Sequence, residues 1–341
     1  MLEIFPKINH YNIPIFIPHA ACPYQCVFCN QKKISGQLNI PSINDIENTI
    51  NNHLLTLPKE NAFIEIGFFG GSFTAIPFQE QEKYLKIASK YINRGVVKEI
   101  RVSTRPDFID DNELNLLKKY GLQTIELGAQ SMDEQVLAHS GRGHKVEDIV
   151  NASVLIKNAG FNLGLQMMIG LPFDTIEKAK QTAKQIISLQ ADCTRIYPTL
   201  VIKDTALELL YQQNKYFPLS IEDAVEWTKE IYNIFVNSNT KVIRIGLHPS
   251  EGLMKGDSLI AGPFHPSFKE LVLTQIWNDL FKKIKNEKKL KKITIFVAKE
   301  QLNYAIGYNS TNKIELLKFY SFVVFKTDNS LKGNNFYVNY N

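Results

Sequence analysis

The chain has 341 residues, 44% of them hydrophobic, with 39 Lys and Arg against 34 Asp and Glu. That length and apolar content suit a sizeable α/β core with a small appendage, and a net charge of +5 permits an anionic partner without demanding one. Four cysteines in so long a chain exclude a disulfide framework and point to a reducing compartment. No apolar run reaches membrane-spanning length and Met1 to His10 carry no signal-peptide core, so a cytoplasmic protein with no membrane partner is expected.

The first strand is expected at Ile13 to Ile17. It leads into Cys22-Pro23-Tyr24-Gln25-Cys26-Val27-Phe28-Cys29, where three of the four cysteines fall within eight residues. Thiolates are soft ligands for zinc, copper(I) or iron–sulfur clusters. A structural zinc site needs four ligands, and no second cysteine pair exists. A four-iron cluster held by three thiolates would leave one iron with an open position. A zinc knuckle is the competing reading.

Ser42 caps a helix whose apolar positions Ile43, Ile46, Ile50, Leu54 and Leu57 recur at helical spacing. A strand follows at Phe63 to Phe69, a helix at Phe78 to Ile92, a strand at Glu99 to Ser103 and a helix at Asp110 to Tyr120. Thr124 to Gly128 is the fourth strand, followed by helices at Asp133 to His139 and Val146 to Asn158. Asn162 to Ile169 is the fifth strand, Asp174 to Leu189 a helix, and Thr194 to Tyr197 the sixth strand. This alternation implies a parallel sheet with right-handed crossovers, in either a doubly wound or a barrel form. Beyond Pro198 the rhythm weakens. Helices are expected near Thr205 to Gln213, Ser220 to Asn237 and Pro266 to Asn286, with a strand at Val242 to Ile245 and a loop from Gly246 to His265. Lys282 to Lys292 reads as a solvated basic helix face and linker. A strand at Ile293 to Val297, a helix near Lys313 to Phe319 and β-rich runs to Tyr340 form a small α/β module. The division expected is residues 1–245 for the core and 246–341 for the C-terminal domain.

In a parallel barrel, chemistry gathers at the carboxyl ends of the strands. Gly70-Gly71-Ser72 closes the second strand, as a plain turn or as a close backbone approach to a ligand. Ser103-Thr104-Arg105-Pro106-Asp107 closes the third, offering hydroxyls to a ribose or ordinary turn chemistry, with Arg105 free to pin an acid. Glu126 in the fourth strand needs a partner, and Gln130 at its end offers donor and acceptor together. Arg142 can grip a carboxylate or sit at a helix end on the surface. Gln166 is a polar residue in a buried-looking run. Lys203, Arg244, His248 and His265 are the substrate-side candidates, with Lys203, Arg244 and His248 the catalytic ones. Cys193, alone in an apolar strand, reads as core.

The cysteine spacing resembles the cluster loop of the radical S-adenosylmethionine (SAM) enzymes. Thr104 to Asp107, Glu126 to Ser131, Arg142-Gly143-His144, Met167 to Pro172 and Tyr197 to Lys203 together resemble the radical SAM core of the Elongator subunit 3 family, which modifies the wobble uridine of tRNA. Oxygen-independent coproporphyrinogen oxidases share positions like Gln130, Arg142 and Gln166. The resemblance implies a partial (β/α)6 TIM-like barrel with a small α/β C-terminal module. It implies a [4Fe-4S] cluster on Cys22, Cys26 and Cys29, and SAM bound by Gly70, Gly71, Ser72, Ser103, Gln130, Arg142 and Gln166. It also implies reductive cleavage of SAM to a 5′-deoxyadenosyl radical that abstracts hydrogen, an electron donor such as flavodoxin or ferredoxin, and tRNA as a possible substrate. Ser72 stands where the family usually has Glu. The last hundred or so residues carry no glycine-rich loop like an acetyl-CoA site, and the first strand starts too early for the family's basic N-terminal extension. Acetyl transfer is therefore not expected. A metal-stabilised RNA-binding or scaffold protein is the alternative reading.

Overall fold

The computed structural model describes residues 9–17, 25–30, 33, 39–285 and 290–340. β1 (Asn9–Ile17), β2 (Ala62–Gly70), β3 (Glu99–Thr104), β4 (Thr124–Gln130), β5 (Asn162–Ile169) and β6 (Cys193–Pro198) lie side by side in sequence order, all parallel. After the short β7 (Val201–Ile202), β8 (Lys241–Ile245) joins the free edge of β6, giving a seven-stranded parallel sheet curled into a half-barrel. The strand expected at Val242 thus belongs to the barrel itself.

The crossovers carry α1 (Ile43–Thr56), α2 (Phe78–Asn93), α3 (Asp111–Lys119), α4 (Glu134–His139), α5 (Val146–Asn158) and α6 (Ile176–Ser188). Side-chain caps start most of them: Ser42 with a capping box to Asp45, then Asp110, Asp133 and Thr175. Each satisfies an orphan N–H at a helix start, worth about 1 kcal/mol. Alternate strand residues point to opposite faces. On one face Ile13, Ile66, Ile100, Ile125, Leu165 and Ile196 pack against helix residues such as Ile50, Leu85, Leu117, Ile156 and Ile186, forming the main core.

The opposite, concave face is polar. On it Glu65 accepts from Asn12 Nδ2 at 2.6 Å and pairs with Arg101 Nη2 at 3.1 Å. Arg101 Nη1 donates to Glu126 Oε1 at 2.6 Å, and Arg195 donates to both oxygens of Glu126 at 2.5 and 2.8 Å. Cys193 lies in the same layer, its Sγ 3.9 Å from Arg101 Nη1, and burial pushes its thiol up to about 11. This floor lies toward the amino ends of the strands, away from the cysteine loop after β1, so Cys193 is a buried floor residue as expected.

Past the barrel come α7 (Ala206–Gln212), α8 (Ile221–Asn237), α9 (Glu251–Lys255), β9 (Leu259–Ala261), which pairs with β7, and α10 (Phe268–Phe281). The helix expected to reach Asn286 ends earlier, giving way to a 3-10 turn over Lys282–Ile284. Phe268, Val272 and Ile276 of α10 sit in the main core, whereas Trp277 and Phe281 belong to a second cluster. That second cluster lies under a three-stranded sheet in which β10 (Leu290–Val297) runs between a parallel β11 (Tyr320–Thr327) and an antiparallel β12 (Phe336–Tyr340). The short α11 (Leu302–Ile306) and α12 (Thr311–Leu316) complete the module. Among the described residues no helix is long and apolar enough to cross a membrane.

At the end of β2 the backbone turns at Gly70 with φ +108°, and a Cβ there would lie 2.9 Å from the Ile17 carbonyl oxygen. Gly71 N–H donates to that same carbonyl at 2.9 Å. Gly70→Ala is therefore expected to strain the turn by about 1–3 kcal/mol, read as a lowered Tm in a thermal melt.

Candidate active site

The cysteine loop is held by its backbone. Cys29 N–H donates to Cys26 O at 3.0 Å, Val27 N–H to Ser140 O at 3.0 Å, and Leu207 N–H to Val27 O at 2.7 Å. Phe28 packs with Val136, Met168 and Leu171. Cys26 is buried and Cys29 partly so, while Cys22 lies outside the described residues.

Arg142, buried just after α4, reaches from β4 to this loop. Its Nη1 donates to Cys26 Sγ at 3.2 Å and its Nη2 to the Gly128 carbonyl. The Arg142 carbonyl in turn accepts from Arg105 Nη2, and Arg105 forks onto Asp107 with two bonds of 2.9 Å. Arg105 does pin an acid, and it steadies Arg142 as well. Gln130 is brought to the same place by a break in register between Gly128 and Gln130, with a left-handed φ of +65°. A bulge of this kind re-aims a side chain. A Cβ on Gly128 would lie 3.0 Å from Gln130 Nε2 and 3.2 Å from Arg142 Nη2, which places the amide and guanidinium side by side.

Two buried polar atoms in this group, Gln130 Oε1 and Arg142 Nε, have no hydrogen-bond partner among the described residues. Buried polar groups are paired in the great majority of cases, so orphans gathered beside a thiol make this the candidate ligand site. The donor set suits an anionic thiolate cluster with a polar ligand next to it: sulfur from the loop, a cation against the sulfur, and an amide free to bond. His144 lies beneath, buried. Burial, with the charges of Arg142 and Arg105 added, pushes its pKa down to about 3, so it stands neutral.

The Ser72 hydroxyl is buried and bonded within the protein. It lies 2.8 Å from Thr104 Oγ1 and accepts from Arg105 N–H at 3.1 Å, while Thr74 Oγ1 sits 2.6 Å from the same threonine. The side chain therefore braces the β2 and β3 ends. Gly71, Ser72 and Ser103 line a narrow cleft with Ile17, Phe68 and Phe69. Gln166 is half-buried, in register with Gly128 on one side and Arg195 on the other, one rung beyond Glu126.

The substrate-side candidates divide. Arg244, the register partner of Arg195, donates from Nε to Gly246 O at 3.1 Å, and its Nη2 lies 3.4 Å from His248 Nδ1. Burial lowers the Arg244 pKa, opposed by Tyr197 and reinforced to a lesser degree by neighbouring Arg195. The His248 pKa is lowered by burial and by Arg244. Lys203 is exposed, and its backbone carbonyl accepts from Asn30 Nδ2 at 3.3 Å beside the cysteine loop. His265 is elsewhere: its Nδ1 accepts from Ser267 N–H at 3.0 Å and its ring meets Tyr308 edge-on.

Sequence reasoning missed Arg101 and the pairing of Arg195 with Glu126. The available signal was charge at inward-facing strand positions, with signs that alternate from β2 to β6. It also missed the support under Gly170, whose carbonyl accepts from Tyr216 Oη at 2.6 Å and whose N–H donates to Asp174 at 2.9 Å. Burial, against those backbone bonds, raises Asp174 to about 7.

Residues 16–186 match the family model of the radical SAM superfamily, and residues 191–278 that of the Radical_SAM C-terminal domain. The tRNA uridine(34) acetyltransferase of Methanocaldococcus infernus is 30% identical over 183 residues, which cover 48% of this chain and 34% of that one. Elongator complex protein 3 of Homo sapiens is 28% identical over 233 residues, 62% of this chain and 42% of that one. The chain thus spans well under half the length of these curated relatives. Among solved structures, the archaeal Methanocaldococcus infernus Elp3 with an N-terminal deletion aligns with a TM-score of 0.63 at 22% identity, over 82% of this chain and 64% of that one, which shows a common fold. With the family model spanning half of its length and the barrel to match, the chain belongs to the radical SAM superfamily of enzymes.

Proposed function

We propose that Cys22, Cys26 and Cys29 hold a [4Fe-4S] cluster and that SAM binds beside it at the carboxyl ends of the strands. The observation that carries this reading is the set of Cys26, Arg142 and Gln130, with two buried polar atoms unpaired among the described residues next to a thiol. Cluster and SAM together supply reductive cleavage of the sulfonium to methionine and a 5′-deoxyadenosyl radical, which takes hydrogen from a substrate. This chain's residues bind and orient. The Gly70-Gly71 backbone would hold the SAM amino group, with Ser72, beside it in the same cleft, bracing the turn through Thr104 and Arg105. Ser103, Gln130 and Gln166 offer polar contacts to the nucleoside and amino-acid parts, and Arg142 holds the loop thiolate and the β4 backbone in one geometry. Arg244, His248 and Lys203 lie on the substrate side. An external donor such as flavodoxin or ferredoxin supplies the electron.

RNA, and tRNA in particular, is the substrate class favoured by the relatives named as tRNA uridine(34) acetyltransferases. Acetyl transfer is not part of the proposal, because this chain covers only about a third of those proteins. Anaerobic reconstitution followed by dithionite and SAM is expected to yield 5′-deoxyadenosine. Protein carrying a full complement of iron and sulfide but releasing none would overturn the reading, and zinc without iron would favour a binding protein.

Arg142→Lys keeps the charge but loses the fork that reaches Cys26 and Gly128 together. A partner of a metal-binding ligand typically contributes about 10- to 100-fold to affinity or activity. The expected result is a fall of that size in 5′-deoxyadenosine yield, with an unchanged far-ultraviolet circular dichroism spectrum.

A further inference from the structure

The chain's charge is unevenly placed. From Lys282 onward there are twelve lysines against four acidic residues, whereas the preceding residues hold twenty-seven basic and thirty acidic ones. The positive charge therefore resides in the C-terminal module. Its three-stranded sheet has one face sealed: Ile293, Ile295, Val297 and Val323 are buried against Trp277 and Phe281. The alternation of strand residues sends Lys292, Phe296, Phe322, Lys326 and Tyr337 to the other face.

That face is open and aromatic. Phe322 is 66% exposed and Tyr337 41% exposed. Phe296 and Tyr337, in register across β10 and β12, stack with centroids 4.6 Å apart and planes 9° from parallel. The register also sets each ring beside a lysine: Phe322 faces Lys292, and Phe296 faces Lys326. Phe322 lies four residues along the sheet from the stacked pair, about 13 Å at the usual rise per residue. One acid stands at the rim, Asp328, which accepts from Tyr337 Oη at 2.9 Å and so helps fix that ring.

Exposed rings cost solvation free energy unless a partner covers them. Aromatic rings spaced along an open sheet and interleaved with lysines match the alternating bases and phosphates of a single strand, which stacks on the rings and pairs its backbone with the cations. We infer that the open face of the β11–β10–β12 sheet binds single-stranded RNA, such as a loop or an unpaired end. The choice of RNA rests on the substrate reading above, whereas the stacking surface rests on the sheet alone.

The test uses the reconstituted full chain with a fluorescent uridine-rich RNA 12-mer and a DNA oligomer of matching sequence, followed by anisotropy across a salt series. The wild type is expected to prefer the RNA and to lose affinity steeply with salt. Phe322→Ala with Tyr337→Ala is expected to weaken binding at least about tenfold. Lys326→Glu, at an exposed position that leaves the fold intact, is expected to reduce the salt slope by about 0.7. Unchanged affinity in both variants overturns the inference, as does absence of binding at low salt or a preference for DNA. A change in sedimentation with RNA affinity unmoved would instead assign the face to a second copy of the chain. SAM cleavage is read on the same wild-type preparation. Failure to form 5′-deoxyadenosine with sheet-dependent RNA binding intact removes the radical reading and leaves this one, and the reverse removes this one alone.

Discussion

Cys26→Ala is expected to abolish 5′-deoxyadenosine formation, with a loss exceeding the ~100-fold ascribed to groups one step removed from a metal. The loop should keep its shape in this variant. Its anchors are backbone bonds from Val27 to Ser140 and from Leu207 to Val27, none of which uses the thiol. What disappears is the sulfur that accepts from Arg142, leaving a buried guanidinium facing a methyl group. Iron and sulfide content after anaerobic reconstitution should fall with the activity, while the thermal melt moves little. Cys193→Ala is the matched control. That thiol sits in the barrel floor beside Arg101, so its loss should leave iron and SAM cleavage intact and register only as a small cavity cost. Equal loss of iron in both variants would contradict the assignment of the loop as the cluster site.

Glu126→Ala is expected to carry the largest stability cost of any single change to the floor. Its two oxygens are shared between Arg101 and Arg195, and all three side chains are largely withdrawn from water. Removing the carboxylate leaves two buried guanidinium groups with less compensation, a situation that typically costs about 3–5 kcal/mol. A fall of several degrees in Tm, or no soluble protein, is the expected readout, and Glu126→Gln should recover part of it by keeping acceptor geometry. The same network predicts acid sensitivity. Burial alone would raise Glu65, but His10, Arg101 and Asn12 outweigh it and hold the carboxyl down at about 2. Glu126 is likewise held below the usual carboxylate range, with Arg195 and Arg101 overcoming burial. Carboxylates lowered on folding contribute stability that is full above their unfolded pKa of about 4.5 and is lost as pH falls through the folded value. Stability should therefore drop between about pH 4.5 and pH 2, more steeply in the wild type than in Glu65→Gln. A wild-type melt flat across that window would show the network to be unimportant.

The parts legible in the sequence were those set by neighbours along the chain. Helix α1 announces itself through Ser42, its capping box and the spacing of Ile43, Ile46 and Ile50. The cysteine loop is a local spacing of thiols, and the alternation of strands and helices is a local period. Turns at Gly70 and Gly170 could be placed at strand ends for the same reason. Of Lys282 to Lys292, expected as a basic helix face and linker, the first residues are a 3-10 turn, residues 286–289 lie outside the described residues, and the last residues differ from the expectation by pairing with Phe322 and its neighbours as strand.

Chain order and residue type thus determined on their own that strands and helices alternate around a parallel α/β sheet with three closely spaced cysteines after its first strand, since hydrophobic period and cysteine spacing act over a few residues. The barrel form was implied only by the family resemblance. Only the tertiary structure decided that Arg142 reaches Cys26 across 116 positions, that Glu126 is neutralised by Arg101 and Arg195, that Ser72 braces β3, and that β8 closes the edge beside β6. Those contacts are fixed by strand register and by the cost of leaving a charge or a backbone edge unpaired in a low-dielectric interior, and neither is written in any one segment.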